Sequence, residues 1–402
     1  MSAPLLPYGR HLIEDDDIAA VAAALRSDWL TTGPNVEAFE SALADKVGAN
    51  HGVVCSSGTA ALHLAALALG LGPSDTVIVP TVTFLASATG VHHTGAEIAF
   101  ADVDPRSGLL TTDTFEAALG RCGGKARVVV AVHLNGQCCD MPALAALARS
   151  HSLVVVEDAC HALGSRYVAV AGNSSVAVGS CHDSDLACFS FHPVKTIAMG
   201  EGGAITTNDR KLAAAMRRLR NHGIVRDSDA FESRTLAFGS DGSHPWYYEM
   251  PQPGFNYRAS DVHCALGLSQ LRKLDRFAAR RRALTELYDA HFADWPDWAR
   301  PVPHVANCDP VLHLYPLLID FARSKAGSRD AVMRALAERG IGTQVHYLPV
   351  HLQPYFARRY GPLDLPGAWA YYERCLSIPL FPAMTDDDVA RVVASLFQVL
   401  IE

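Results

Sequence analysis

Apolar and polar positions in the first half of the chain switch between two periods. Short continuous apolar runs at 51–57, 76–80, 97–103, 126–134 and 153–159 read as strands. Between them, segments near 59–69, 83–93, 112–121 and 141–151 repeat their apolar residues every three to four positions, as helices do. Unbroken apolar runs belong to strands covered on both faces, and strand–helix alternation requires crossover connections. A mainly parallel sheet buried between helices is therefore predicted. Two further strands are expected at 185–191 and 203–207. The Gly/Pro/aromatic stretch 239–254 reads as a long loop or junction. Beyond it, 260–293 reads as one long helix, followed by a strand (312–319), a helix (329–339), a strand (343–347) and a last helix from Val389. Thr385 and Asp388 have the spacing of an N-cap with an acidic first turn. The pattern gives an α/β chain with a large domain over 1–250 and a smaller α+β domain over 251–402.

In sheets of this kind ligands bind beyond the strands' C-terminal ends. The fifth strand ends there in Glu157-Asp158-Ala159, and a later polar turn carries Lys195 within Phe191-His192-Pro193-Val194-Lys195. Pyridoxal phosphate chemistry needs this pair: an amine that forms a Schiff base, and an anion that keeps the pyridine nitrogen protonated. Singly, the residues also fit a surface lysine and a strand-end cap. Ser56-Ser57-Gly58-Thr59, between the first strand and its helix, offers free N–H groups and hydroxyls to a phosphate. Phe84, after the second strand, suits stacking on a pyridine face or an ordinary place in the core. A dehydrogenase is the rival for a doubly wound sheet, but Gly70-Leu71-Gly72 follows a helix and precedes a strand, the wrong context for a dinucleotide loop. His161 and His192 lie close in sequence to Asp158 and Lys195, as structural or hydrogen-bonding residues. His346 and Tyr347 are candidates for facing a substrate.

Composition narrows the partners. The formal charge of −8, with no dense Lys/Arg stripe, argues against nucleic acid. Arg10, Arg226 and Arg258 remain candidates for a diphosphate. No apolar run has the length to cross a bilayer, and the first residues lack the pattern of a signal peptide, so a cytoplasmic location is expected. Ten scattered cysteines with no Cys-x-x-Cys suggest reduced thiols and no metal site.

From Pro7-Tyr8-Gly9-Arg10 and Trp29-Leu30-Thr31-Thr32-Gly33-Pro34 to the last helix, the chain resembles the DegT/DnrJ/EryC1/StrS family of nucleotide-sugar aminotransferases. The resemblance implies the aspartate aminotransferase-like fold type I of pyridoxal phosphate enzymes. It implies Lys195 as the Schiff-base lysine, Asp158 at the pyridine nitrogen, and Gly58, Thr59 and Ser190 at the phosphate. Phe84 would stack on the ring and His161 would sit at the cofactor. It further implies a homodimer with a shared site, in which Asn256 reaches the partner's cofactor, while Thr32, Arg258, His346 and Tyr347 meet the substrate. Asn256 capping its own helix is the alternative. Within the family, Pro245-Trp246-Tyr247-Tyr248-Glu249-Met250, Gly254-Phe255-Asn256-Tyr257-Arg258 and the stretch from Val345 to Tyr355 resemble the branch that aminates C4 in pseudaminic acid biosynthesis. The loop at Ser56 and the basic-free segment 168–180 depart from that branch. The expected reaction converts a UDP-linked 4-keto-6-deoxy-N-acetylhexosamine to its 4-amino sugar, with L-glutamate as donor and 2-oxoglutarate as by-product. The rivals are another nucleotide-linked keto sugar, a non-catalytic binding protein, and a sugar dehydratase of this fold, in which the lysine is replaced.

Overall fold

The computed structural model describes residues 5–169 and 174–402. Its centre is a seven-stranded sheet of β1 (His51–Cys55), β2 (Thr76–Pro80), β3 (Glu97–Ala101), β4 (Ala126–Val132), β5 (Val154–Asp158), β8 (Leu186–Ser190) and β9 (Gly203–Thr207). The strand order is β1-β9-β8-β5-β4-β2-β3. All pairings are parallel except those of β9, which runs antiparallel to both β1 and β8. The mainly parallel sheet is borne out, with shorter strands than expected. The runs at 126–134 and 153–159 extend past their ladders because His133, Leu134, Leu153 and Ala159 are also buried.

Val53, Val77, Ile78, Val79, Val129, Val130, Leu186 and Ile205 are all fully buried, as a sheet covered on both faces requires. The covering helices start at legible caps. Ser57 Oγ accepts from Ala60 N–H, Thr111 forms a capping box, and Asp140 precedes Pro142 in the first turn of its helix. Helix Pro34–Val47 is capped from elsewhere in the chain: Asp261 carboxylate oxygens accept the N–H groups of Gly33 and Asn35 at 2.6 and 2.9 Å. A short hairpin, β6 (Arg166–Val168) with β7 (Ser175–Ala177), adds a strand from downstream. Of the departure noted over 168–180, residues 170–173 lie outside the described residues, as do residues 1–4 of the N-terminal reading.

Segment 260–293 is two helices, Asp261–Arg272 and Leu274–Phe292, not one. The break falls at Lys273, whose ammonium is drawn to Glu14 at 3.1 Å, to Asp17 at 2.8 Å and to Asp16. The stretch 239–254 is largely loop, entered through the two-residue strands β10 (Phe238–Gly239) and β11 (Gly242–Ser243). Downstream, β12 (Ala299–Pro301), β14 (Tyr315–Ile319) and β15 (Cys375–Ile378) form a second sheet, while β13 (Cys308–Asp309) pairs with β6. The expected strand at 343–347 is absent: only Gln344 bridges to Ser377, and the chain then turns toward the large sheet. Helix Asp386–Leu400 starts at Thr385 with the capping box to Asp388. Packing divides the molecule into two cores. Ala259 to Phe277 join the larger one, as do Val302, Leu318, Val350, Phe356, Leu365, Ala368, Tyr371 and Cys375. Leu284 to Ala299, the β14 residues Tyr315, Leu317 and Ile319, and the last helix join the smaller, which also takes in Leu6. Among the described residues no helix is long and apolar enough to cross a membrane.

Candidate active site

At the C-terminal ends of the parallel strands lies a cavity of about 540 Å³, walled by both parts of the chain. It draws together Gly58, Thr59, Phe84, Asp158, His161, Ser190, Lys195, His346 and Tyr347, residues spread over most of the sequence. The loop after β1 enters helix Gly58–Ala68 with its first turn facing the cavity. Ser57 Oγ occupies Ala60 N–H, and helix geometry leaves Gly58 and Thr59 N–H without intrahelical acceptors. Ser190, at the end of β8, lies against this turn. A Cβ on Gly58 would sit 2.8 Å from Ser190 Cβ and 3.2 Å from Cys160 Sγ, so glycine is what allows the approach. Phe84, at the start of helix Leu85–His92, is 54% exposed, which rules out the core alternative and leaves a ring face open.

Asp158 ends β5 and is buried. Its Oδ1 accepts Cys160 N–H at 3.1 Å, and its Oδ2 accepts the Ser87 hydroxyl at 2.6 Å. Asp158 is no cap of a following helix. Lys195 stands in the turn after β8, half-buried on the cavity wall, and is no surface lysine. Enclosure lowers its pKa below that of an ordinary lysine, against the opposing pull of Cys160 and Asp158.

The histidines separate by environment. Burial, and then the Lys195 charge, hold His161 far below its usual pKa, so its ring is neutral. Its Nδ1 accepts Asn135 N–H at 3.3 Å. The ring proton is therefore on Nε2, which donates to Tyr347 Oη at 3.2 Å and leaves the tyrosine O–H to point elsewhere. His346 is pushed down to about 3 by burial and Lys195; its Nδ1 pairs with Ser377 Oγ at 2.8 Å. His192 is exposed at the cavity rim.

Five candidates do not line this cavity. Thr32 and Arg258 line a separate one of about 160 Å³ together with Arg217, Arg220 and Asn221; Arg258 Nη1 donates to Asn221 Oδ1 at 2.7 Å. Asn256 is exposed and bridges to Asn221 through its backbone. It is not a helix cap, because Ser260 Oγ takes that position by accepting His263 N–H. Arg10 and Arg226 are exposed and also lie off the cavity, Arg226 stacking over Tyr248. Conversely, Thr83 and Tyr8 line the cavity and the buried Ser87 bonds to Asp158, though none of the three is a site candidate in the sequence. The only local sign of Ser87 is its place three residues after Phe84, on the same side of a helical turn.

This donor set fits pyridoxal phosphate. A glycine cradle and hydroxyls suit a phosphate, a buried carboxylate with both oxygens held suits a pyridinium nitrogen, and an enclosed amine suits a carbonyl. The matching family model runs over residues 11–397, and the chain belongs to the DegT/DnrJ/EryC1/StrS aminotransferase family. It is 41% identical over 392 residues to the spore coat polysaccharide biosynthesis protein SpsC of Bacillus subtilis (strain 168), covering 96% of this chain and 95% of that one. Helicobacter pylori PseC, an aminotransferase involved in the biosynthesis of pseudoaminic acid, superposes with a TM-score of 0.86 at 26% identity over 98% of each chain. A Streptococcus pneumoniae chain solved in PLP and PMP forms is 27% identical to this one in both, with a TM-score of 0.84, covering 98% of this chain and 97% and 96% of that one. The protein is thus a sugar aminotransferase of fold type I, and pyridoxal 5'-phosphate is its cofactor.

Proposed function

We propose that the chain aminates C4 of a UDP-linked 4-keto-6-deoxy-N-acetylhexosamine, taking nitrogen from L-glutamate and releasing 2-oxoglutarate, to make a precursor of pseudaminic acid in the cytoplasm. The observation that carries the transaminase chemistry is the meeting of Lys195, Asp158, the Gly58–Thr59 turn and Ser190 on one cavity. The likeness to PseC over the whole chain supports the sugar. SpsC favours a second reading, the same chemistry on another nucleotide-linked keto sugar (a dTDP- or GDP-linked 4-ulose, or a 3-ulose) destined for a surface polysaccharide.

Bound in this cavity, pyridoxal phosphate supplies an electron sink and a carrier for the amino group. Lys195 holds the cofactor and moves the proton. Its lowered pKa enlarges the unprotonated fraction near neutral pH, the form that can bond a carbonyl carbon or accept a proton. Asp158 supplies the anion for the pyridine nitrogen, Gly58, Thr59 and Ser190 receive the phosphate, and Phe84 offers its open face to the ring. His161, fixed as a neutral donor, braces Tyr347, while His346 and Tyr347 border the substrate side. Asn256, Thr32 and Arg258 serve the site of a partner subunit. Thr32 and Arg258 line a separate cavity, Asn256 bridges to that cavity's Asn221, and the neighbouring chain positions Trp29, Leu30 and Phe255 are exposed and apolar, a surface suited to a second copy.

Glutamate-dependent turnover of a panel of nucleotide-linked keto sugars tests the substrate. The UDP-linked 4-keto altrosamine precursor should be used at least about tenfold faster than dTDP-linked 4-keto-6-deoxyglucose, a discrimination of about 1.4 kcal/mol that one or two polar contacts supply. The opposite ranking moves the protein to the second reading.

A further inference from the structure

Asp158 meets the cavity with both carboxylate oxygens engaged from the protein side. Oδ1 is held by the Cys160 N–H and Oδ2 by Ser87 Oγ at 2.6 Å; Ser87 Oγ in turn lies 2.6 Å from Thr83 Oγ1. Ser87 and Thr83 are buried, at 0% and 2% exposure. Proton counting fixes the direction of both bonds. A carboxylate has no proton to give, so Ser87 donates to it. Ser87 has one O–H, so it can only accept from Thr83, and Thr83 donates. Both hydroxyl protons therefore run one way, from Thr83 through Ser87 to Asp158. A single turn builds this arrangement: Phe84 starts helix Leu85–His92, and Ser87 lies one turn on, with its N–H on Phe84 C=O. The turn that presents the Phe84 ring to the cavity also places Ser87 against the carboxylate.

We propose that Thr83 and Ser87 are positioning residues for the cofactor, a two-hydroxyl chain that fixes the rotation of the Asp158 carboxylate and keeps its charge directed at the pyridine nitrogen. The proposal rests on reading Asp158 as the pyridine partner. Hydrogen bonds to an ionised oxygen are the strong ones, and a chain of donors polarises each bond further. Without Ser87, Oδ2 keeps a buried lone pair facing no donor, and the carboxylate either turns or competes for the ring proton.

The test uses holoenzyme loaded with pyridoxal phosphate labelled with ¹⁵N in the ring, as wild type and as Ser87→Ala, Thr83→Val, Thr83→Ser and Asp158→Asn. Three quantities are read: the ring nitrogen resonance, the rate of cofactor release on dilution, and Tm. Ser87→Ala should move the resonance toward the unprotonated position and speed release about tenfold. Thr83→Val, close to isosteric, should do the same more weakly, about threefold, and Thr83→Ser should restore wild-type values. If Asp158→Asn moves resonance and release while Ser87→Ala and Thr83→Val move neither, the proposal is overturned and the reading of Asp158 survives. If Asp158→Asn itself changes nothing, that reading fails and the proposal falls with it. A Ser87→Ala protein with lowered Tm but an unmoved resonance assigns Ser87 to packing, which also overturns it.

Discussion

At the scale of the residue, the candidate site holds side chains whose pKa is shifted by enclosure. Lys195 carries the most in the proposed function, since one amine is assigned both to hold the cofactor and to carry the proton. Lys195→Ala should fold yet lose at least about a thousandfold in turnover. Borohydride treatment of the wild type should fix the cofactor to the peptide containing Lys195; recovery on a different lysine would overturn the assignment. His346 gives a stability prediction with a definite sign. Folded, it stays neutral down to about 3, whereas in the unfolded chain it takes a proton near 6.5. Below that point the unfolded state binds more protons, so stability is lost as pH falls. The contribution amounts to roughly 2 kcal/mol between pH 7 and pH 5. His346→Gln lacks that proton, and its unfolding free energy in urea should fall less steeply over this window than the wild type's. Parallel slopes would mean that His346 titrates normally.

Among the elements, one close fit at the candidate site is between β9 and the turn ahead of helix Gly58–Ala68. A Cβ on Gly203 would stand 2.2 Å from the Ser57 carbonyl oxygen and 2.6 Å from Gly58 N, contacts with backbone that cannot swing aside. Gly203→Ala should therefore cost about 1–3 kcal/mol of stability. By displacing the proposed phosphate turn it should also weaken cofactor binding, read as a smaller rise in Tm on adding pyridoxal phosphate. An unchanged cofactor-induced rise alongside a lowered baseline Tm would separate the turn from the phosphate. Apolar periodicity showed most elements but not where ladders end, and not the break at Lys273. That break falls at a lysine paired with three acidic side chains more than 250 positions upstream.

Across the whole molecule, the question is whether one chain completes a site. Asn256, Thr32 and Arg258 are outside the Lys195 cavity of their own chain. Lys195→Ala and Asn256→Trp should each be poorly active alone, and heterodimers of the two should regain activity, because one of their two sites then has both native residues. Isolation of differently tagged heterodimers followed by turnover assays checks this. Verified heterodimers without recovery would sink the shared site.

What the sequence determined by itself was local or periodic. Apolar runs showed the strands of the large sheet, Thr385 with Asp388 showed the start of the last helix, and a strand-end carboxylate with a turn lysine offered a candidate chemistry. These follow from backbone geometry and residue type within a few positions, which is why they could be read without coordinates. Tertiary structure alone decided which distant groups meet. The strand order brings the ends of β5 and β8 together beside the β1 turn, and the return of 343–348 from the smaller core closes the cavity with His346 and Tyr347. The Ser87–Asp158 bond joins residues 71 positions apart. Hydrogen bonds act over about 3 Å in space and carry no trace along the chain, so only the packed sheet could reveal them.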